Sequence, residues 1–330
     1  MSIASRKKEH IKICLKEDVR FKKKTTGLEK YDFIHCALPE INLKDIDTSI
    51  TLFGKKLSFP FFIGSLTGGW KGAVKINKSL AHVCESEGIG LEVGSQRSLL
   101  KGDEYIDSYR IIREIAPHSL VIGNIGALQT VQYPNIGVLK KLMDIVRADA
   151  FSVHINPLQE VLQAEGEFNF KGILAGIERL VKSFSIPIIV KEVGCGISTQ
   201  VAQQLAHVGV SYINIAGAGG TSWAGVESLR NKRNLPLQFW DWGIPTAKSI
   251  TMVSKVRGIK IIASGGLTNG IDMAKTLALG AVCCSAALPV LRKLNKKGIK
   301  GVVRMIRQWK EELTLSLFLT GSSNIQAVRR

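Results

Sequence analysis

Eight short runs of apolar and β-branched residues recur along the chain, at 61–66, 89–93, 120–125, 150–155, 186–192, 210–216, 259–263 and 281–286. Each is nearly continuous in hydrophobicity, the pattern of a parallel strand covered on both faces. Between most of them the period changes to that of an amphipathic helix. Ala73, Ile76, Leu80 and Val83 share one helical face, as do Ile106, Tyr109, Ile112 and Ile115. Leu139, Leu142 and Val146 repeat the pattern, then Ile177, Leu180 and Phe184, then Val201, Leu205 and Val208. Ser198 is placed to cap a helix N-terminus, and Gly209 to end that helix before the next strand. Strand and helix alternating eight times predict an α/β fold, a closed TIM (β/α)8 barrel.

Residues 1–60 precede the barrel as an N-terminal extension, within which 52–57 reads as a hairpin-like lid under the barrel. Residues 217–245, rich in Gly and Trp, read as a long insertion without clear structure after the sixth strand, a kind of connection that is usually functional or mobile. A closing helix is expected at 298–319, ended by Gly321. With no linker in view, 1–330 reads as a single domain.

Composition narrows the class. The chain is 45% hydrophobic and 22% charged, so a large packed core is expected. It has no run of about 18 uncharged apolar residues, and residues 1–20 interleave Arg, Lys and Glu without an apolar stretch. No membrane partner and a cytoplasmic location are therefore expected. Cys14, Cys36, Cys84, Cys195, Cys283 and Cys284 show no CxxC spacing and read as reduced, small apolar side chains. The formal charge of +18 suits either nucleic acid or a small polyanion such as a diphosphate. No nucleic-acid-binding motif accompanies it, and a solvated basic face accounts for most of the lysines.

In such a barrel, chemistry gathers at the C-terminal ends of the strands. There the chain places Ser65-Leu66-Thr67-Gly68-Gly69, Gly94-Ser95-Gln96-Arg97 and Gly123-Asn124-Ile125-Gly126. His154-Ile155-Asn156-Pro157-Leu158-Gln159-Glu160, Lys191-Glu192-Val193-Gly194, Gly217-Ala218-Gly219-Gly220-Thr221 and Ser264-Gly265-Gly266-Leu267 follow. Glycines at strand ends let backbone N–H groups approach a phosphate, and Gly265, Gly266, Ala286 and Ala287 sit after strands seven and eight, where barrels hold one. Lys191 ends an apolar strand; as a surface lysine it would need no ligand, but at the mouth its charge suits the N1–C2=O edge of a reduced flavin. Thr67, Ser95 and Asn124 offer hydrogen bonds to a flavin, and Thr67 and Ser95 equally suit helix caps. His154, Asn156, Gln159 and Glu160 put four ligand-capable groups in seven residues. The carboxylate of Glu160 suits Mg²⁺, while Arg97, Arg6 and Lys7 suit diphosphate oxygens.

These motifs, with Arg6-Lys7-Lys8-Glu9-His10 before them, together resemble type II isopentenyl-diphosphate isomerase, in order from residue 6 to about 287. The resemblance implies FMN at Ser65, Leu66, Thr67, Ser95, Asn124, Lys191, Thr221, Gly265, Gly266, Leu267, Ala286 and Ala287. It implies diphosphate substrate contacts at Arg6, Lys7, Ser95, Gln96, Arg97, His154, Asn156 and Gln159, and Mg²⁺ at Glu160. Lys191, Gln159 and His154 would serve the chemistry, NADPH would reduce the flavin without net redox change, and a homo-oligomer, tetramer or octamer, is implied. Leu66 stands where the family usually has Met, and Ala216 where it often has Ser, which removes one hydrogen bond to the flavin.

Moving a double bond by protonation at C4 and deprotonation at C2 engages carbons that are neither acidic nor basic. The resemblance implies that reduced FMN carries that proton work while the diphosphate is anchored away from it. A rival FMN-dependent oxidoreductase of a small acid shares the barrel and phosphate loops, but needs a histidine base after strand seven, and 264–269 supplies none. A basic, non-enzymatic barrel that binds phosphate or nucleic acid is the remaining alternative.

Overall fold

All eight runs are strands, and they close in sequence order into one parallel barrel. The computed structural model describes residues 2–232 and 234–329. A hairpin of β1 (Ile50–Leu52) and β2 (Lys55–Leu57) precedes the barrel strands. These are β3 (Phe61–Ile63), β4 (Gly90–Glu92), β5 (Val121–Gly126), β6 (Ala150–His154), β7 (Ile188–Lys191), β8 (Tyr212–Asn214), β9 (Lys260–Ala263) and β10 (Ala281–Ala286), with β10 pairing back onto β3. The assigned strands are mostly shorter than the apolar runs, which continue into the loops at the mouth.

The strand period of two divides the core. Phe62, Ile122, Ile189, Ile262 and Cys283 point into the barrel and meet Leu52 and Leu57 of the hairpin. Phe61, Ile63, Val121 and Cys284 point outward into the layer packed under the helices. The hairpin therefore plugs the barrel floor, as the sequence suggested. Its turn residues Phe53 (φ 51°) and Gly54 (φ 77°) are both left-handed, a two-residue turn whose twist matches the strands. Phe53 adopts that conformation edge-on to Tyr212, with ring centroids 4.7 Å apart.

The outer helices follow the predicted faces. Ser198 Oγ accepts the Val201 amide at 3.3 Å at the start of Thr199–His207, and Gly209 follows it with φ 86°. The cysteines are buried or half-buried side chains, and no helix among the described residues is long and apolar enough to cross a membrane.

Two expectations need correction. The insertion at 217–245 carries two helices, Trp223–Asn231 and Leu237–Trp240. Its glycine and tryptophan content reflects packing, not absence of structure: Gly225 lies so close to the Trp240 ring that a Cβ would stand 2.5 Å from it, and Ser222 both caps the first helix and donates to Trp240 O at 2.6 Å. The closing helix begins at Leu288, well before 298, and Gly298 (φ 63°) is a kink inside it.

The extension contributes an element that hydrophobic period did not announce, the helix Ile3–Lys16 with Ser2 at its N-cap. Ile11, Cys14 and Val19 pack against Val226 and Leu291, which lays this helix beside the C-terminal ends of the strands.

Candidate active site at the barrel mouth

Strand register brings the polar strand ends level. Gly126 pairs with His154, His154 with Lys191, and Lys191 with Asn214. Above this row lies a cavity of about 500 Å³, within the range of small-molecule and cofactor sites. Every predicted site residue but one lines it: Ser65, Leu66, Thr67, Ser95, Asn124, Lys191, Thr221, Gly265, Gly266, Leu267, Ala286 and Ala287, together with Arg6, Lys7, Arg97, His154, Asn156, Gln159 and Glu160.

The exception is Gln96. Its side chain is fully buried, donating to Leu142 O at 2.7 Å and accepting from the Asn124 amide at 3.1 Å. Both ends of its amide are thus spent on backbone behind the wall, where the expected substrate contact finds no free side-chain group. What it does is hold Asn124 in place.

Asn124 is a hub. Its amide donates to Ser65 Oγ at 2.9 Å and Val93 O at 3.1 Å, and its oxygen lies 2.9 Å from His154 Nδ1. With that oxygen as acceptor, His154 carries its proton on Nδ1 and presents Nε2 as a lone pair. Burial, reinforced by Lys191, Lys7, Arg97 and Arg6, pushes its pKa down to about 3. His154 is therefore neutral near pH 7 and holds no proton to donate from Nε2.

The glycine loops are built for close approach. A Cβ at Gly265 (φ 95°) would overlap Gly217 O, and one at Gly220 would overlap Gly266 N. The loops after β8 and β9 thus touch backbone to backbone, which only glycine permits. Of the two helices that follow the phosphate loops, Gly270–Ala278 is closed by Asn269, which accepts the Asp272 amide at 2.7 Å. The helix Leu288–Leu319 starts at Ala287 without a side-chain cap, leaving its N-terminus to a ligand anion. The cradle, the Lys191 cation and the polar edge of Ser65, Thr67 and Asn124 fit a phosphate-bearing flavin. Neither Thr67 nor Ser95 spends its hydroxyl on a helix cap: Thr67 Oγ1 accepts from Trp70 Nε1 at 2.8 Å, and Ser95 makes no capping bond.

Lys7, Arg97 and Arg6 bring basic side chains to the same cavity. Lys7 Nζ donates to Ser95 O at 2.6 Å and Tyr109 Oη at 3.0 Å; burial, with Arg6 and Arg97 nearby, lowers its pKa to about 7. Arg97 pairs with Glu167, and Arg6 lies 3.9 Å from Glu165. Below them Asn156 Nδ2 reaches Gln159 Oε1 at 3.0 Å and Glu160 Oε1 at 3.2 Å, while Glu160 Oε2 accepts the Glu167 amide at 3.0 Å. Glu160 is thus buried, aimed and hydrogen-bonded. Among the described residues no three His, Cys, Asp or Glu side chains are grouped to hold a metal. A lone carboxylate fits an Mg²⁺ that keeps waters and arrives with phosphate oxygens, and does not fit a metal caged by protein.

Sequence reasoning missed a second layer. Glu227, fully buried, lies 2.9 Å from His10 Nε2 and accepts from Arg230 Nε at 2.8 Å and Gln159 Nε2 at 3.4 Å. Trp223, edge-on to His10 at 5.2 Å, also lines the cavity. Arg6, His10 and Cys14 follow one another at four-residue steps on one face of the N-terminal helix, a signal that was available for His10. Glu92, buried on β4, lies 2.9 Å from Lys191 Nζ; its signal was a charge inside an apolar strand.

Comparison with known proteins agrees with this geometry. The model of the FMN-dependent dehydrogenase family matches residues 146–330. The solved structure of a flavocytochrome b2 variant with sulfite bound superposes with a TM-score of 0.71 at 17% identity, over 97% of this chain and 81% of that one, a likeness of fold. The isopentenyl-diphosphate delta-isomerase of Pyrococcus furiosus is 43% identical over 98% of this chain and 85% of its own. That of Archaeoglobus fulgidus is 42% identical over 100% of this chain and 95% of its own. Similarity of that extent over nearly the whole chain, with the family model beside it, places the chain in the FMN-dependent isopentenyl-diphosphate delta-isomerase family.

Proposed function

We propose that the chain interconverts isopentenyl and dimethylallyl diphosphate using reduced FMN and Mg²⁺, with NADPH serving only to reduce the flavin. One observation carries the reading: a single cavity is lined both by the glycine cradle and Lys191 and by Arg6, Lys7, Arg97 and Glu160. That lining combines the groups that would take a flavin and its phosphate with the cations that would take a diphosphate.

Bound FMN supplies a ring that exchanges protons with the substrate's carbons, chemistry that no side chain here offers. The chain's own residues do the rest. Ser65, Thr67, Asn124 and Lys191 edge the ring, while Gly265, Gly266, Ala287 and the helix start behind it hold the phosphate. Arg6, Lys7, Ser95 and Arg97 anchor the diphosphate, with Mg²⁺ held by Glu160 and oriented through Asn156. Gln159, tied to Glu227, borders the C5 chain, which Ile11, Leu66 and Trp223 shield from water. His154, neutral when the cavity is free, takes up a proton only beside the diphosphate. Substrate binding is thus spent on orientation remote from the reacting carbons. The rival oxidoreductase reading lacks its base: the histidines lining the cavity are His10 and His154, and neither follows β9.

Apoprotein should regain interconversion of the two C5 diphosphates only when FMN, a reductant and Mg²⁺ are all restored, read by product analysis. Full activity without FMN or without Mg²⁺ would refute the reading. Lys7 adds a pH dependence. Its pKa is lowered to about 7, so it is cationic below that pH and neutral above. The KM for the diphosphate should be flat below pH 7 and rise above it, with FMN affinity unchanged. Lys7→Gln should raise KM about tenfold at pH 6, the loss of one charge-assisted contact, and flatten the rise. A Lys7→Gln variant with the parent's KM profile would remove Lys7 from the site.

A further inference from the structure

Lys191 is the cation expected beside the flavin, and it is not alone. Glu92, one strand-end inward from Ser95, extends from β4 across the barrel and places Oε2 2.9 Å from Lys191 Nζ. The same oxygen accepts the backbone amide of Ser65 at 3.1 Å. Both side chains are almost wholly buried, Glu92 at 2% exposure and Lys191 at 8%. Ser65 and Lys191 line the cavity, and Glu92, bonded to both, is not among its lining residues.

Two features separate this pair from an ordinary packing device. Glu92 Oε1 is buried without a hydrogen-bond partner, a costly condition for a carboxylate that an apolar residue in the same strand would avoid. Glu92 is also the carboxylate that meets Lys191 in an ion pair among the described residues. The other buried acid nearby, Glu192, is turned to the amides of Val193, Gly194 and Cys195. Around the pair the mouth is cationic, with Arg6, Lys7 and Arg97 facing the same space. The negative charge of Glu92 is therefore placed where it acts most strongly on Lys191, the cation it touches.

We propose that Glu92 is a positioning residue that holds Lys191 at the flavin edge and tunes the flavin's redox potential by half-neutralising it. This role presupposes the FMN site proposed above. A full cation beside the N1–C2=O edge favours the extra negative charge that reduction brings. An ion pair at the same place presents a dipole, which favours that charge less. The chain would thus bind the ring with an oriented hydrogen-bond donor while keeping the reduced form from becoming too stable to exchange protons.

The test is the midpoint potential of protein-bound FMN, read spectroscopically at fixed pH, for the parent protein, Glu92→Gln, Lys191→Met and the double variant. Gln keeps an acceptor for the Ser65 amide and removes the charge. Glu92→Gln should make reduction at least tenfold more favourable, a rise of about 30 mV for a two-electron couple. Lys191→Met should lower the potential, because it leaves the carboxylate uncompensated, and adding Glu92→Gln should restore most of that fall. Folding and loading are checked by thermal unfolding and FMN stoichiometry. Potentials that do not move, or that fall in Glu92→Gln, overturn the proposal. So does failure of both Glu92 variants to fold with FMN, since the carboxylate would then be a requirement of the fold. A parent protein that binds no FMN overturns the flavin site itself, an outcome distinct from an FMN-loaded parent whose potential ignores Glu92.

Discussion

Replacing Glu160 by Gln should cut the isomerase rate by about 10²–10³-fold and move the Mg²⁺ requirement to higher concentration, while FMN binding and reduction stay as in the parent protein. The size follows from the several kcal/mol that a metal contributes at a charged site. Gln keeps the shape of the side chain and still accepts the Glu167 amide, now held by Glu160 Oε2 at 3.0 Å. Asn156 loses one acceptor at 3.2 Å but retains Gln159 at 3.0 Å. What disappears is the charge that a hard cation requires. Gln159→Ala should behave differently, slowing turnover with no shift in Mg²⁺ dependence, because a neutral amide is a poor ligand for Mg²⁺. Steady-state rates titrated with Mg²⁺ separate the two. A parent-like Mg²⁺ curve for Glu160→Gln would contradict the metal assignment.

The second large effect falls on stability. Glu227→Ala should lower the unfolding free energy by about 3–5 kcal/mol, the cost of removing one partner from a buried ion pair. Glu227 has no exposed surface, and it joins the N-terminal helix through His10, the cluster after β6 through Gln159, and its own helix through Arg230. Arg230 keeps Glu165, whose oxygen lies 2.8 Å away, so the loss stays short of global unfolding. With its anchor gone, the helix Ile3–Lys16 should loosen, and KM for the diphosphate should rise along with the instability. Glu227→Gln, which keeps a hydrogen-bonding side chain of the same size, should cost less on both counts. Denaturant titration and KM measured on the same preparations check this; an Ala variant as stable as the parent would show that the network is not coupled to the fold.

The barrel was legible because its strands are buried on both faces and its helices on one, so that period and run length mark the eight strands and five of the helices between them. The cavity wall was legible for the same reason: once strand ends are located, residues such as Asn124, His154 and Lys191 must face one another. What escaped lies at one remove. Gln96 sits between Ser95 and Arg97, which both line the cavity, yet the 3₁₀ turn Gln96–Leu100 points its side chain inward to backbone. Spacing along the chain does not reveal that. Glu227 belongs to the insertion after β8, whose helix is fixed by the fit of Trp240 on Gly225, a contact between residues that nothing in the local pattern pairs. Glu92 was readable as a charge in an apolar run, but its partner, 99 positions along the chain, is supplied by barrel closure alone.

The most direct test of the central claim is a count: molecules of dimethylallyl diphosphate formed from isopentenyl diphosphate per NADPH consumed, with FMN and Mg²⁺ present and oxygen excluded. An isomerase that needs its flavin reduced but leaves it reduced after each cycle should yield many products per NADPH, a ratio that grows with incubation time. A ratio fixed at one product per NADPH would contradict the account and mark the chain as a net oxidoreductase.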